Sequence, residues 1–397
     1  MAYPLDGIRV LDFSRVLAGP YATRLLSDLG ADVLKIEGPE GDLTRRYGKV
    51  TGGQSGLYIQ QNIGKRNVCL DLKADGAKEL IHRLVAVSDM VVENFRPGVM
   101  DRLGFGWETL HAINPKLVML SISGYGQVGP ERDRASYAPM MHAETGMLVR
   151  QGKINGQPLA EMSLSLADTF SSLHGVIGVL AALRVAEQTG QGQQVDMAMI
   201  NAMHGTDDHA HFALDGVWSV ESHGGFWELW EAPEGAQIGI AGTPQVMWKL
   251  LSTHDNLEDP TPPGATLDVK IGLRRQAINQ HLAAYESFNA LTDRLDAFGL
   301  AWGKIRQPGE DAFAEPSVEG RGVFVEVDDG QGTKRRTVQS PYRFSDAQSG
   351  ITPDSHLSRH GEDNSKALQD WLGMETADLD TLIKAGVIQD PPHGEKS

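Results

Sequence analysis

Cysteine is nearly missing: Cys69 is the only one in 397 residues. A single thiol excludes an internal disulfide and a cysteine-bound metal cluster. Basic residues are in deficit, 36 Lys and Arg against 52 Asp and Glu, giving a formal net charge of −16. That balance argues against a nucleic-acid partner, which requires a basic face. Long hydrophobic runs are also lacking. The longest, Val176 to Leu183 broken by Gly178, falls far short of the ~20 residues that cross a bilayer, so no membrane partner is expected. The opening Met1-Ala2-Tyr3-Pro4-Leu5-Asp6 has neither the basic region nor the apolar core of a signal peptide, and a cytoplasmic location is the expectation.

What is present is a globular composition, 41 % hydrophobic and 22 % charged, in a chain longer than one ordinary core. Apolar β-rich runs at Ile8–Phe13, Val33–Ile36, Val68–Leu72, Met90–Val92 and Leu117–Ile122 alternate with helical stretches such as Ala74–Val87 and Trp107–Ile113. Strands alternating with helices predict an α/β fold with a parallel sheet covered on both faces. Leu166 to Glu187 reads as a long amphipathic helix, with Leu166, Phe170, Leu173, Ile177 and Leu180 forming its buried stripe. Gln194–Met197 reads as a strand, Asn201–Leu214 as a histidine-rich helix, and Asp215 to Pro233 as an irregular connection. A smaller α+β unit follows, with a strand at Ala236–Ala241 and helices at Val246–Thr253, Arg274–Tyr285 and Phe288–Phe298. Strands then return at Val323–Val327 and Thr333–Val338, and helices at Lys366–Leu372 and Asp378–Ala385. The tail after Val387 is polar.

Two motifs read weakly. Gly124-Tyr125-Gly126-Gln127-Val128-Gly129 satisfies GxGxxG after a strand, but a charged turn, Pro130 to Arg134, follows where a dinucleotide site needs a helix. Nicotinamide binding is not expected. His204, Asp208 and His211 would share one face of the predicted helix, yet no second ligand cluster accompanies them, so no metal is expected either. His174, on the long helix, reads as structural.

Blocks in order along nearly the whole chain carry a resemblance. They are Pro4 to Phe13 followed by Ala18-Gly19-Pro20, Leu29 to Glu37, Gly64-Lys65-Arg66, Val92 to Gly98 and Ser123 to Gln127. Gly175 to Leu183, Gly190-Gln191-Gly192-Gln193 and Leu382 to Ile388 complete them. The sequence resembles the family III CoA-transferases (CaiB/BaiF type), the group of the formyl-CoA and carnitine CoA-transferases. The resemblance implies a Rossmann-like large domain built from both chain ends (1–215 and 310–397), with a 216–233 linker and a small inserted domain at 234–309. It also implies an interlocked homodimer. The implied substrates are an acyl-CoA and a carboxylic acid, with coenzyme A as the thioester carrier.

The same resemblance places the nucleophile at Asp168, just inside the long helix. A carboxylate there would be kept ionised by the helix dipole and could attack a thioester carbonyl. The alternative reading of the bare residues is an N-cap. Val16 and Ala18, then Leu70, Asp71, Leu72 and Lys73, then Asn94, Phe95, Arg96 and Arg102, and finally Tyr137 match family contacts to CoA. Lys73, Arg96 and Arg102 would supply the local positive charge that a net −16 denies globally.

The chain departs from the formyl-CoA enzyme in several places. Gly38 and Ala135 stand where that enzyme has basic residues, Leu17 replaces a glutamine near the acyl group, and its four-glycine loop is reduced to His223-Gly224-Gly225. These changes point away from formyl and oxalate and toward a more apolar acyl pocket. Two other readings stand beside the transferase: an α-methylacyl-CoA racemase, and a non-catalytic acyl-CoA binding protein. The racemases carry His-Asp after the Gly-Tyr-Gly block, where this chain has Tyr137-Ala138. A tyrosine of pKa about 10 is a poor base at neutral pH.

Overall fold

Strands form where consecutive apolar residues find cover on opposite faces. Val10 packs with the start of one helical layer and Leu11 with another, and both are fully buried. This explains the unbroken apolar run at the first strand. The computed structural model describes residues 2–51, 53–216, 227–329, 332–352 and 355–389, which leaves the His223-Gly224-Gly225 stretch outside the described residues.

The chain divides into two compact units, one of residues 1–208 with 320–397, the other of 209–319. The first unit holds a six-stranded sheet of β1 (Arg9–Asp12), β2 (Asp32–Glu37), β3 (Arg66–Cys69), β4 (Met90–Glu93), β5 (Val118–Ser123) and β6 (Gln194–Ala198). The order is β3-β2-β1-β4-β5-β6 and every pairing is parallel. The direction of winding reverses between β1 and β4. In open α/β sheets the crevice at that point, beyond the carboxyl ends of the strands, is where ligands bind. The returning C-terminal segment is stitched to the β3 edge: Asn364 Oδ1 accepts from the Cys69 N–H at 2.8 Å, and Leu70 bridges Ile388.

Helix α1 (Ala18–Asp28) and the 24-residue helix Leu166–Thr189, called α8 here, cover one face of the sheet. Between them in sequence lie α2 (Gly56–Asn62), α3 (Ala77–Ala86), α4 (Val99–Leu103), α5 (Trp107–Ile113), α6 (Ala138–Glu144) and α7 (Met147–Asn155). Helix α8 departs from expectation in which side it buries. Its inner face is made of small residues, Ala167, Ser171, Ser172, Gly175, Val176, Val179 and Ala182. A Cβ on Gly175 would stand 3.0 Å from Leu120, and one on Gly178 2.9 Å from Val195. Such close approach to the sheet forces the large residues outward, so Leu173 is 38 % and Ile177 64 % exposed. Of the stripe expected to be core, Leu166, Phe170 and Leu180 are half-buried against it, while Leu173 and Ile177 face outward. With a mean hydropathy of 1.5, α8 is also long and apolar enough to cross a membrane, which no single run in the sequence had indicated. Its small-residue face is nevertheless packed on the sheet.

The predicted helix Asn201–Leu214 is two helices, α9 (Met199–Thr206) and α10 (Ala210–Leu214). The break falls at Asp207, whose carboxylate is held by Arg150 at 2.6 Å. His204, Asp208 and His211 therefore do not share one helix. Among the described residues no group of three His, Cys, Asp or Glu is placed to hold a metal ion. His174 ties α8 to α9 through Thr206 Oγ1 at 2.8 Å.

The second unit contains an antiparallel sheet of Trp227–Glu231, Gln237–Ala241 and Trp302–Lys304. It packs on helices Pro244–His254, Leu267–Ala283 and Phe288–Ala297 around Trp230, Ile238, Leu251, Ile278 and Leu291. Its first strand lies inside the stretch read as an irregular connection.

Candidate active site

The turn from β1 to α1 is built from beneath by buried charge. The Ser14 hydroxyl donates to Asp12, and Thr23 Oγ1 donates to the other Asp12 oxygen at 2.6 Å. Lys65 reaches the same carboxylate at 3.2 Å. Lys35 donates to the Ser14 carbonyl at 2.7 Å and sits 3.4 Å from Asp42. Asp42 in turn accepts from the Val16 N–H at 3.1 Å. Burial drives the Lys65 ammonium down to about 7, while the neighbouring lysines and hydroxyls hold Asp12 below the ordinary carboxylate range despite its own burial. This network fixes a strained loop, in which Val16 has φ +68°, left-handed backbone that a β-branched residue rarely adopts.

The switch point brings several of the expected residues together. Asn94 Oδ1 accepts from the Arg15 N–H at 2.8 Å and its Nδ2 donates to the Arg15 carbonyl at 2.8 Å. The Arg15 guanidinium lies over the Phe95 ring at 5.4 Å. Arg15 thus ties the turn that carries Val16 and the buried Ala18 to Asn94 and Phe95 beyond β1 and β4. Lys73, Arg96 and Arg102 are exposed cations on loops and a helix that follow the carboxyl ends of β3 and β4. Tyr137, 64 % exposed, precedes α6 after β5. Leu70 differs: its side chain is wholly buried, and its N–H is taken up by the Glu37 carbonyl at 2.8 Å. Asp71 bonds locally, accepting from the Lys73 N–H at 2.9 Å. Leu72 packs against the core below.

Asp168 is the third residue of α8 and not its N-cap, which is Ser165. The helix is docked to the switch point by Ser172, whose hydroxyl donates to the Ala18 carbonyl at 2.6 Å and to the Asp168 carbonyl at 2.7 Å. Among the described residues no hydrogen bond engages the Asp168 carboxylate. Burial pushes that carboxyl up to about 6. Desolvation thus opposes the ionisation that a helix start favours. At pH 7 the carboxylate still outnumbers the acid about tenfold. The group is ionised, partly dehydrated and unbonded, which is what a carboxylate nucleophile needs.

Comparison with known proteins decides the family. The chain matches the model of CoA-transferase family III over residues 5–364. It belongs to that family. A succinyl-CoA–L-malate CoA-transferase beta subunit of Chloroflexus aurantiacus is 41 % identical over 235 residues, 58 % of this chain and 58 % of the subunit, so that match spans little more than half of either. A formyl-CoA:oxalate CoA-transferase of Streptomyces avermitilis is 33 % identical over 420 residues, covering 98 % of this chain and all of that one. The crystal structure of a CAIB/BAIF family protein from Brucella suis superimposes with a TM-score of 0.77 at 30 % identity, covering 94 % of this chain and 100 % of that one.

Three residues of this family III chain stand at the site without having been singled out for it. Arg15 stacks on Phe95. His142 and Glu161 form a pair behind Asp168: His142, wholly buried on α6, has Nδ1 2.7 Å from the Glu161 carboxylate, and its Nε2 accepts from the Ala167 N–H at 3.3 Å. A separation of 19 residues, with α7 between, leaves no periodicity by which sequence could pair them. The GxGxxG segment has a local task. Gln127 donates its N–H to both oxygens of Asp196 at 3.0 Å, and the next helix starts only at Ala138.

Proposed function

We propose that the protein moves CoA from an acyl-CoA donor to a carboxylic acid, with Asp168 as nucleophile. An Asp168 oxygen attacks the thioester carbonyl, and the C–S bond breaks to release CoA thiolate and leave a mixed anhydride. The thiolate attacks the Asp168 Cγ of that anhydride, expelling the donor's carboxylate and leaving an aspartyl-CoA thioester. The acceptor carboxylate attacks Cγ, again freeing thiolate, which then takes the acceptor's acyl carbon and returns Asp168 as carboxylate. No net proton or electron is consumed. One observation carries the reading: an unbonded, partly desolvated carboxylate in the first turn of a helix docked on the switch-point loop. Relatives named for succinyl-CoA, formyl-CoA, malate, glutarate and oxalate support the reaction class and leave the acids open. Val16, Ala18, Asn94, Phe95 and the cations Lys73, Arg96 and Arg102 are proposed to hold CoA, with Leu70, Asp71, Leu72 and Tyr137 bordering them.

Asp168→Ala is expected to remove transfer by at least about 10³-fold while CoA binding persists, because the proposed cofactor contacts lie on other elements. Hydroxylamine added during turnover should convert Asp168 to its hydroxamate, visible by peptide mass spectrometry. An alanine variant that turns over normally would remove Asp168 from the reaction.

The closeness of His142 to Asp168 raises the racemase reading, since a His/Asp couple is what proton exchange at C2 requires. Its geometry gives that reading no support, because the ring is wholly buried and both nitrogens are engaged. A 2-methylacyl-CoA incubated in deuterated water should gain no deuterium at C2. Enzyme-dependent exchange at the rate of CoA transfer would reverse the assignment.

A further inference from the structure

Helix starts leave backbone N–H groups unpaired, and an acidic residue at the third helical position commonly folds back to bond one of them. This chain does so elsewhere. In the helix Thr376–Lys384, Asp378 at that position accepts from the Glu375 N–H at 3.3 Å, completing a capping box. Asp168 holds the same position in α8, yet its carboxylate makes no such bond, and the N-cap Ser165 makes no side-chain bond either. The Ala167 N–H, at the second helical position, bonds to His142 Nε2 on a different helix, and the imidazole is oriented by Glu161 on the loop leading into α8.

We infer that His142, oriented by Glu161, is a positioning residue that caps α8 from outside by holding the Ala167 N–H, and so fixes the first turn that carries the Asp168 carboxylate. The inference rests on the proposed role of Asp168. Its logic is tautomeric. Glu161 accepts from Nδ1–H, which fixes the lone pair on Nε2, the only form able to accept from Ala167. With His142 gone, the Ala167 N–H would lose its partner and the first turn that carries Asp168 would be free to shift. Such a shift misplaces the attacking oxygen, which costs rate and not binding.

Three variants and one spectrum test this. His142→Leu should lower kcat by about 10²-fold with the KM for acyl-CoA little changed, as expected for a misplaced reacting group. His142→Gln, whose amide oxygen can accept from Ala167 while its NH₂ donates to Glu161, should recover most of that loss. Glu161→Ala, at a side chain 45 % exposed and so tolerant of change, should lower kcat about tenfold even if the leucine variant fails to fold. ¹⁵N spectra of the wild type should show His142 as the Nδ1–H tautomer at neutral pH, with the Ala167 amide protected from exchange, and Glu161→Ala should lose that protection. This arm needs no turnover, so it decides the capping role even if the chain proves not to transfer CoA. That latter result would sink the proposed function alone. The inference fails if the leucine and Glu161→Ala variants keep wild-type kcat, if glutamine rescues no better than leucine, or if Nε2 carries the proton.

Discussion

Asp168 shows how a reactive residue sets stability against activity. In an unfolded chain an aspartate has a pKa near 3.9, whereas burial raises this one to about 6 in the fold. Between roughly pH 4 and pH 6 the folded protein keeps a proton that the unfolded chain has released, so folding is favoured at the acid end. That stability is complete below the unfolded value and is lost as pH rises through about 6. Above it, the buried charge costs about 3 kcal/mol. Asp168→Asn should therefore be inactive yet more stable than wild type at pH 7, by a few degrees in Tm, with the difference fading toward pH 4. Scanning calorimetry at the two pH values checks this, and an asparagine variant less stable at pH 7 would contradict it. Turnover follows the opposite course. It requires the ionised form, so kcat should rise with pH along a limb centred near 6.

At the scale of elements, the strained turn between β1 and α1 depends on one glycine. A Cβ on Gly19 would lie 2.1 Å from Ser14 Cβ and 3.4 Å from Asn94 Cγ, so the turn must move away from the β4 loop. Gly19→Ala should cost about 2 kcal/mol, in the range of overpacked sites, and raise the KM for acyl-CoA more than it lowers kcat. Ser14→Gly in the same chain makes room and should restore much of both. Equal losses in the single and double variants would show that the clash is not the cause. Much of this architecture was legible in sequence. Apolar runs located five of the six strands of the parallel sheet to within a few residues, because burial on both faces writes itself as an unbroken run. Trp107–Ile113 was located to the residue. What stayed hidden depends on contacts distant in sequence: which side of α8 is buried, the Lys35, Asp42 and Lys65 support beneath Val16, and the pairing of Glu161 with His142. The helix α8 was misread at Leu173 and Ile177 for a physical reason, since close packing on a sheet selects Gly, Ala and Ser beneath it and so reverses the exposure expected of those two residues.

That reversal matters at the scale of the whole molecule. Leu173, Ile177 and Val185 leave the outer side of α8 apolar and 38 %, 64 % and 41 % exposed, on the helix that starts at the proposed nucleophile. An apolar outer face on so central a helix is unfavourable in a lone subunit, and we propose that the second copy of the interlocked homodimer which the resemblance implies is what covers it. Covering Ile177 alone would contribute about 2 kcal/mol per subunit, and a two-fold interface counts each residue twice. The protein is expected to sediment as a homodimer. Ile177→Lys, which places a charge where apolar cover is needed, should yield monomer or poorly folded chain. Interlocked subunits cannot separate without opening one of them, so exchange between tagged and untagged protein should be as slow as global unfolding. Sedimentation of the purified chain alone separates the cases. A stable dimer with slow exchange supports threading, and a dimer that exchanges within minutes supports simple docking. An active monomer unaffected by Ile177→Lys would leave the outer face of α8 without a role in assembly.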